Sequence, residues 1–138
     1  MDLIKQLKEA YGILRNVEQK SNPNNNILKA ITEVESKGNL RAVGDKNLKD
    51  KAYGPLQIRQ PVLDDVNKYY KTMYTVDHLT NQVHSEDIFN KYIDIYATKK
   101  RLGHEPTPED KARIWNGGPN GFRKNTTLAY WNKVKEKL

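Results

Sequence analysis

Apolar residues along this chain recur mostly at three- and four-residue intervals, the period of a helix with one buried stripe. Leu3, Leu7, Tyr11, Leu14 and Val17 follow it behind Asp2, an available N-cap, and predict a helix over about 2–19. The polar run Ser21-Asn22-Pro23-Asn24-Asn25-Asn26 breaks that pattern. Ile27, Leu28, Ala30, Ile31 and Val34 resume it as a second helix, stopped by Gly38. Residues 38–54 show little periodicity and are rich in Gly, Asn, Asp and Lys, which predicts a loop with at most a small hairpin in the 38–58 region.

Pro61 suits the first turn of a third helix carrying Val62, Val66, Tyr69, Tyr70 and Met73. Ser85 is the expected cap of a fourth, with Ile88, Phe89, Tyr92, Ile95 and Tyr96 inward and Gly103 at its end. Thr107-Pro108-Glu109-Asp110 is a strong start signal for a fifth that runs into Trp115. A turn at 116–121 precedes a last helix with Leu128, Trp131, Val134 and Leu138 on one side. The tyrosines at 69–70 and at 92 and 96 read as core. The expected class is mainly α (α+β), with helices around a cleft.

A length of 138 residues fits one domain spanning 1–138, divided into an N-terminal helix within 1–22 and a catalytic core over 27–138. The net charge of +7 implies an acidic partner, for which nucleic acid, an anionic membrane surface and the bacterial wall all qualify. The basic residues are scattered, with no run longer than the three at 99–101, which argues against a dedicated nucleic-acid arm. There is no cysteine, hence no disulfide framework. Residues 1–20 are charged throughout and lack the apolar stretch of a signal peptide, and no segment is long enough to span a membrane. Action outside a membrane would then require delivery by another route.

The chemistry centres on Glu35. The end of a helix carries partial negative charge, which disfavours a second negative charge there. Burial beside Tyr or Trp rings would act in the same direction by desolvation. A carboxyl group kept protonated near neutrality is what glycoside cleavage requires of its acid. Position alone favours an ordinary surface glutamate. The flanking motifs shift that balance. Gly54-Pro55-Leu56-Gln57-Ile58 offers a bend and an amide that both donates and accepts, as sugar hydroxyls require. Asn116-Gly117-Gly118-Pro119 offers a second amide, with glycines that admit a ligand close to the backbone. Other chemistries lack support. His78, His84 and His104 have no metal-ligand spacing, Ser36 and Ser85 lack a nucleophile elbow, and no glycine loop cradles phosphate. No metal or cofactor is expected.

In this order the motifs resemble the lysozyme-like superfamily, specifically the soluble lytic transglycosylase and goose-type lysozyme branch. That group has an apolar helix ending in Glu-Ser, a Gly-x-x-Gln-aliphatic segment, a Tyr-Asn-Ala-Gly-Pro-like turn and a C-terminal Thr-x-x-Tyr-x-x-x-Val helix. This chain supplies Glu35-Ser36, Gly54 to Ile58, Trp115 to Pro119, and Thr127 to Val134, so the resemblance covers about 27–134. It implies a peptidoglycan-cleaving muramidase that attacks the MurNAc–GlcNAc β-1,4 bond with Glu35 as general acid and base. It further implies a glycan groove formed by Ser36, Tyr53, Gln57, Ile58, Trp115, Asn116, Gly117 and Tyr130. Trp115 stands where the group more often has Tyr, and Leu56 where it often has Met. A transglycosylase needs one carboxyl group, whereas a hydrolase needs a second to hold water. Asp45 and Asp50 are the candidates for the second, and the interval from Glu35 to Gln57 leans toward goose-type hydrolysis. Arg59 and Gln60, not an aspartate, follow Gln57-Ile58. The implied partner is the peptidoglycan strand and the implied place of action the bacterial cell wall, as a monomer or within a larger wall-penetrating, phage-lysin-like assembly. The alternative is a non-catalytic glycan-binding or basic adaptor module. A small nucleic-acid binder is a weaker third.

Overall fold

A computed structural model describes residues 24–138. The helix expected over 2–19 lies outside the described residues. Helix α1 (Asn25–Ser36) buries Ile27, Leu28, Ala30 and Ile31, the i, i+3, i+4 stripe of its sequence. It ends at Ser36, two residues before the expected Gly38. Lys37 adopts the left-handed conformation at φ 54° and its N–H returns to Glu33 O at 3.1 Å.

The loop that follows folds into a two-stranded antiparallel ribbon, β1 (Val43–Gly44) with β2 (Ala52–Tyr53), in the register Val43 to Tyr53 and Gly44 to Ala52. Tyr53 and Ile58 then exchange backbone hydrogen bonds at 3.0 and 2.9 Å, closing a tight turn. Gly54 is obligatory in that turn. Its φ is +79°, and a Cβ would meet the Leu79 carbonyl oxygen at 1.8 Å. The turn thereby presses on the 3₁₀ segment Val76–Thr80, while Leu56 and Ile58 are fully buried beneath it.

Helix α2 (Gln60–Tyr70) opens on Pro61 as expected, but buries Leu63 and Val66. Tyr69 is 66% exposed and Met73 88% exposed, so neither belongs to the core. Helix α3 (Gln82–Tyr96) starts earlier than expected. Asn81 is its cap, accepting from His84 N–H at 3.0 Å. Ser85 instead turns inward, its hydroxyl donating to Leu79 O at 3.0 Å. The chain breaks at Ala97 rather than running on to Gly103, and Thr98 caps a separate short helix α4 (Lys99–Leu102) that Gly103 ends at φ 81°.

Helix α5 (Pro108–Gly117) begins with a reciprocal box. Asp110 N–H donates to the Thr107 hydroxyl, and Thr107 N–H donates to the Asp110 carboxylate. Two 3₁₀ turns (Gly121–Arg123 and Asn125–Thr127) lead to α6 (Leu128–Lys135), which buries Val134 while Leu128 stays 42% exposed. The core sits where α1, α3, α5 and the 53–58 turn converge. Phe89 and Tyr92 of α3 meet Trp115 with ring centroids 4.8 and 5.7 Å apart. Each such large apolar side chain contributes about 1.5–3 kcal/mol by leaving water. This packing fixes the end of α1 against the end of α5, and a cleft opens between them.

Candidate active site

Three pieces of backbone form the cleft: the end of α1, the ribbon with its 53–58 turn, and the end of α5. The cavity encloses about 500 Å³ and is lined by Glu35, Asp45, Gln57, Arg59, Trp115 and Asn116, with Val62, Asp65, Tyr92 and Pro119 on its remaining walls. The carboxyl group and both amide-bearing turns therefore share one space.

Glu35 is in the last turn of α1, with no ion-pair partner among the described residues. Burial raises its pKa from 4.5 to about 7, against the opposing pull of the Arg59 guanidinium. The same neighbourhood holds Tyr130, whose phenol is held well above its ordinary value by burial and then by the nearby Glu35 carboxylate. The Tyr130 hydroxyl is buried with no hydrogen-bond partner among the described residues, which is costly unless a ligand or solvent group meets it.

The helix end and the turn are held together by Ser36. Its hydroxyl donates to Pro55 O at 2.7 Å and accepts from Gly38 N–H at 3.1 Å. Gln57 is equally tied. Its Nε2 donates to Ala42 O at 3.2 Å and to Gly54 O at 3.0 Å, and its Oε1 occupies the space where a Cβ on Gly44 would sit, 2.2 Å away. Both amide hydrogens are spent on the ribbon backbone, so Gln57 offers the cleft an acceptor oxygen held in one place.

Of the two aspartates in the loop, only Asp45 reaches the cleft, where it forms an ion pair with Arg59. Asp50 is exposed and contributes its backbone carbonyl, which accepts from Arg59 Nη1 at 2.6 Å. Arg59 thus spans the loop and reaches electrostatically to Glu35. Gln57, in the left-handed conformation at φ 52°, and Arg59 face the cleft, while Ile58 between them is fully buried in the core. No period in the residue types at 57–59 announces Arg59 as a site residue or excludes Ile58.

Of the remaining expected groove residues, Trp115 and Asn116 line the cleft. Tyr53 is half-buried against the core. Gly117 lies beneath the rim, where a Cβ would meet Thr127 Cγ2 at 2.5 Å. Ser36 is a clip rather than a lining residue, and Tyr130 is near Glu35 but is not among the residues that line the cleft. Asp65, which nothing in the sequence singled out, and Tyr92, expected as a core ring, both line the cavity. The α5 rim is secured by Arg101, which donates to Tyr96 O at 2.7 Å, Pro119 O at 2.9 Å and Asn120 Oδ1 at 3.0 Å. Its guanidinium also lies over the Tyr96 and Phe122 rings, 5.4 and 5.8 Å from their centroids.

Among the described residues, no group of three or more His, Asp or Glu could hold a metal ion, and no helix is long and apolar enough to cross a membrane. His104 caps α5 through Asp110 at 2.7 Å, while His78 and His84 pack with Tyr74.

No protein-family model and no curated sequence matches the chain. Solved structures do. The Tapes japonica lysozyme superimposes with a TM-score of 0.67 at 28% identity, covering 80% of this chain and 87% of that one. A chain from the complex of Aeromonas hydrophila PliI with Meretrix lusoria lysozyme gives 0.69 at 23% identity with the same coverage. Inhibitor-bound lysozyme from Meretrix lusoria gives the same values. The protein has the lysozyme-like α+β fold.

Proposed function

We propose that the protein is a muramidase that cleaves the MurNAc–GlcNAc β-1,4 bond of peptidoglycan at the bacterial wall, with Glu35 as its general acid. The observation that carries this reading is a carboxyl group at a helix end, inside a 500 Å³ cleft, with its pKa pushed to about 7 by burial. The likeness to the Tapes japonica lysozyme supports it. Near neutral pH such a group is about half protonated, which suits a residue that gives a proton in one step and takes one in the next. In the first step the Glu35 proton passes to the glycosidic oxygen as the bond to the anomeric carbon breaks. The ring left behind carries oxocarbenium-like charge. The Gln57 oxygen is a fixed acceptor, and the Asn116 amide on the opposite rim a second polar group, for the N-acetyl and hydroxyl groups of the flanking sugars.

We assign the second step to water, with Asp45 as the carboxylate that holds it, because Asp45 lines the same cavity as Glu35 and Asp50 does not. The carboxylate of Glu35 then takes a proton from the attacking water and a reducing end is released. A goose-type hydrolase would work in this way. One observation favours a second reading. Asp45 is already tied to Arg59, so the 6-hydroxyl of the muramyl sugar could attack in place of water and close an anhydro ring, as in a lytic transglycosylase. Mass spectrometry of the fragments released from purified walls separates the two: reducing ends for hydrolysis, 1,6-anhydro ends for transglycosylation. Sedimentation with walls and no release at all would instead describe a glycan-binding module and overturn the enzymatic proposal.

A further inference from the structure

A second cavity of about 420 Å³ adjoins the cleft on the outer side of α2, lined by Asp65, Lys68, Tyr69, Ile95 and Tyr96. Asp65 lines both cavities, so the two spaces are neighbours across its side chain. Positions 65, 68 and 69 are the i, i+3, i+4 set that shares one face of a helix. Tyr69 is 66% exposed, an uncommon degree for a tyrosine within a helix. It is not loose, however. Its ring meets Tyr70 edge-on at 5.0 Å, and Lys91 lies over the Tyr70 ring, 5.4 Å from its centroid. Tyr96, the opposite wall, is held by its hydroxyl donating to Asp65 Oδ2 at 2.8 Å and by the Arg101 guanidinium over its ring.

The combination has a chemical meaning. A rigid exposed aromatic face covers the C–H face of a pyranose, and a carboxylate with one oxygen uncommitted among the described residues accepts from sugar hydroxyls. Lys68 donates beside it. We infer that this cavity is a second sugar-binding site that takes the glycan strand as it leaves the catalytic cleft past Asp65, with Tyr69 as the stacking platform. This rests on the muramidase reading and extends the length of strand the enzyme grips. The occupant is the sugar chain itself, because the cavity adjoins the cleft across Asp65.

The test uses the E35Q protein, so that bound glycan is not consumed, with peptide-free GlcNAc–MurNAc fragments of four and eight sugars measured by calorimetry. The eight-sugar fragment is expected to bind about tenfold more tightly than the four-sugar fragment. The double variant E35Q/Y69A is expected to lose that gain while binding the four-sugar fragment as before, and E35Q/Y69F is expected to keep it. The exposure of Tyr69 makes a folding defect in Y69A improbable on physical grounds, and the Y69F result reports on the ring alone. An equal gain in E35Q and E35Q/Y69A overturns the inference, as does a gain that appears only when stem peptides are attached. Wall clearing by the parent protein is measured alongside. Clearing with no length-dependent gain overturns the second site alone, whereas absence of both clearing and binding overturns the muramidase reading and this inference together.

Discussion

Replacing Glu35 with Gln removes the proposed proton donor while keeping the shape of the protonated side chain, and the folded protein should gain from it in a pH-dependent way. The Glu35 pKa is about 7 in the folded chain against 4.5 as its ordinary value. A carboxyl group raised in this way favours the fold in its neutral form. Its contribution is fully present below about pH 4.5 and is lost as pH rises from there through about 7. At 1.36 kcal/mol per pH decade, the rise from 4.5 to about 7 amounts to about 3 kcal/mol. Glutamine does not titrate, so E35Q escapes that loss. The expected result is a near-equal stability of parent and E35Q at pH 4. At pH 8.5 E35Q is expected to be the more stable by about 3 kcal/mol, or roughly 10 °C in midpoint for a chain of this size. Urea unfolding of both proteins at the two pH values measures this directly, and comparison within a pH cancels every other titrating group. Wall-clearing activity should fall at least a thousandfold in the same variant. A stability difference that is the same at both pH values would refute the claim that burial holds this carboxyl protonated. That result would leave Glu35 as an ordinary helix-end residue.

Other expectations follow from the same geometry. Arg59→Ala removes the cation that draws the Glu35 pKa downward, so the alkaline limb of the pH–activity profile should move to higher pH even as the rate drops with the loss of the Asp45 ion pair; an unmoved limb would contradict the coupling. Gly54→Ala should abolish stable folding or cost several kcal/mol, read as the loss of a cooperative thermal transition, because the new Cβ would sit 1.8 Å from the Leu79 carbonyl oxygen at a φ of +79°. Tyr130→Phe removes a buried hydroxyl without a partner among the described residues, so stability should hold or rise by about 1 kcal/mol while wall clearing slows several-fold. Arg101→Ala frees Pro119 and Asn120 on the cleft rim, and KM for wall fragments should rise more than kcat falls.

The helices of residues 24–138 could be located from the period of their apolar residues, because a one-sided stripe such as Ile27, Leu28 and Ile31 has one way to leave water. The ends were harder to read. Ser85 and Asn81 are both good caps by composition, and only the inward turn of Ser85 toward Leu79 O selects Asn81. Gly103 does end a helix, but a separate one, since nothing in the residue types at 96–98 announces the break at Ala97. Two-residue strands carry no period, so the ribbon at 43–53 was expected only as a region. The site followed the same logic. Glu35, Gln57, Trp115 and Asn116 stand in motifs whose spacing reflects their shared cleft. Ile58 belongs to the core and Asp50 to solvent, because Ile58 pairs back onto Tyr53 at the foot of the turn and the loop is longer than its cleft-facing part. Arg59 and Asp65 became visible as site residues only when the fold brought them to the cleft.

The account depends most on one carboxyl group holding its proton near neutral pH. Selective ¹³C labelling of glutamate and an NMR titration of the side-chain carboxyl, with E35Q identifying the resonance, measures this without any substrate. A midpoint near pH 7 is the expected result. A midpoint near pH 4.5 would contradict it.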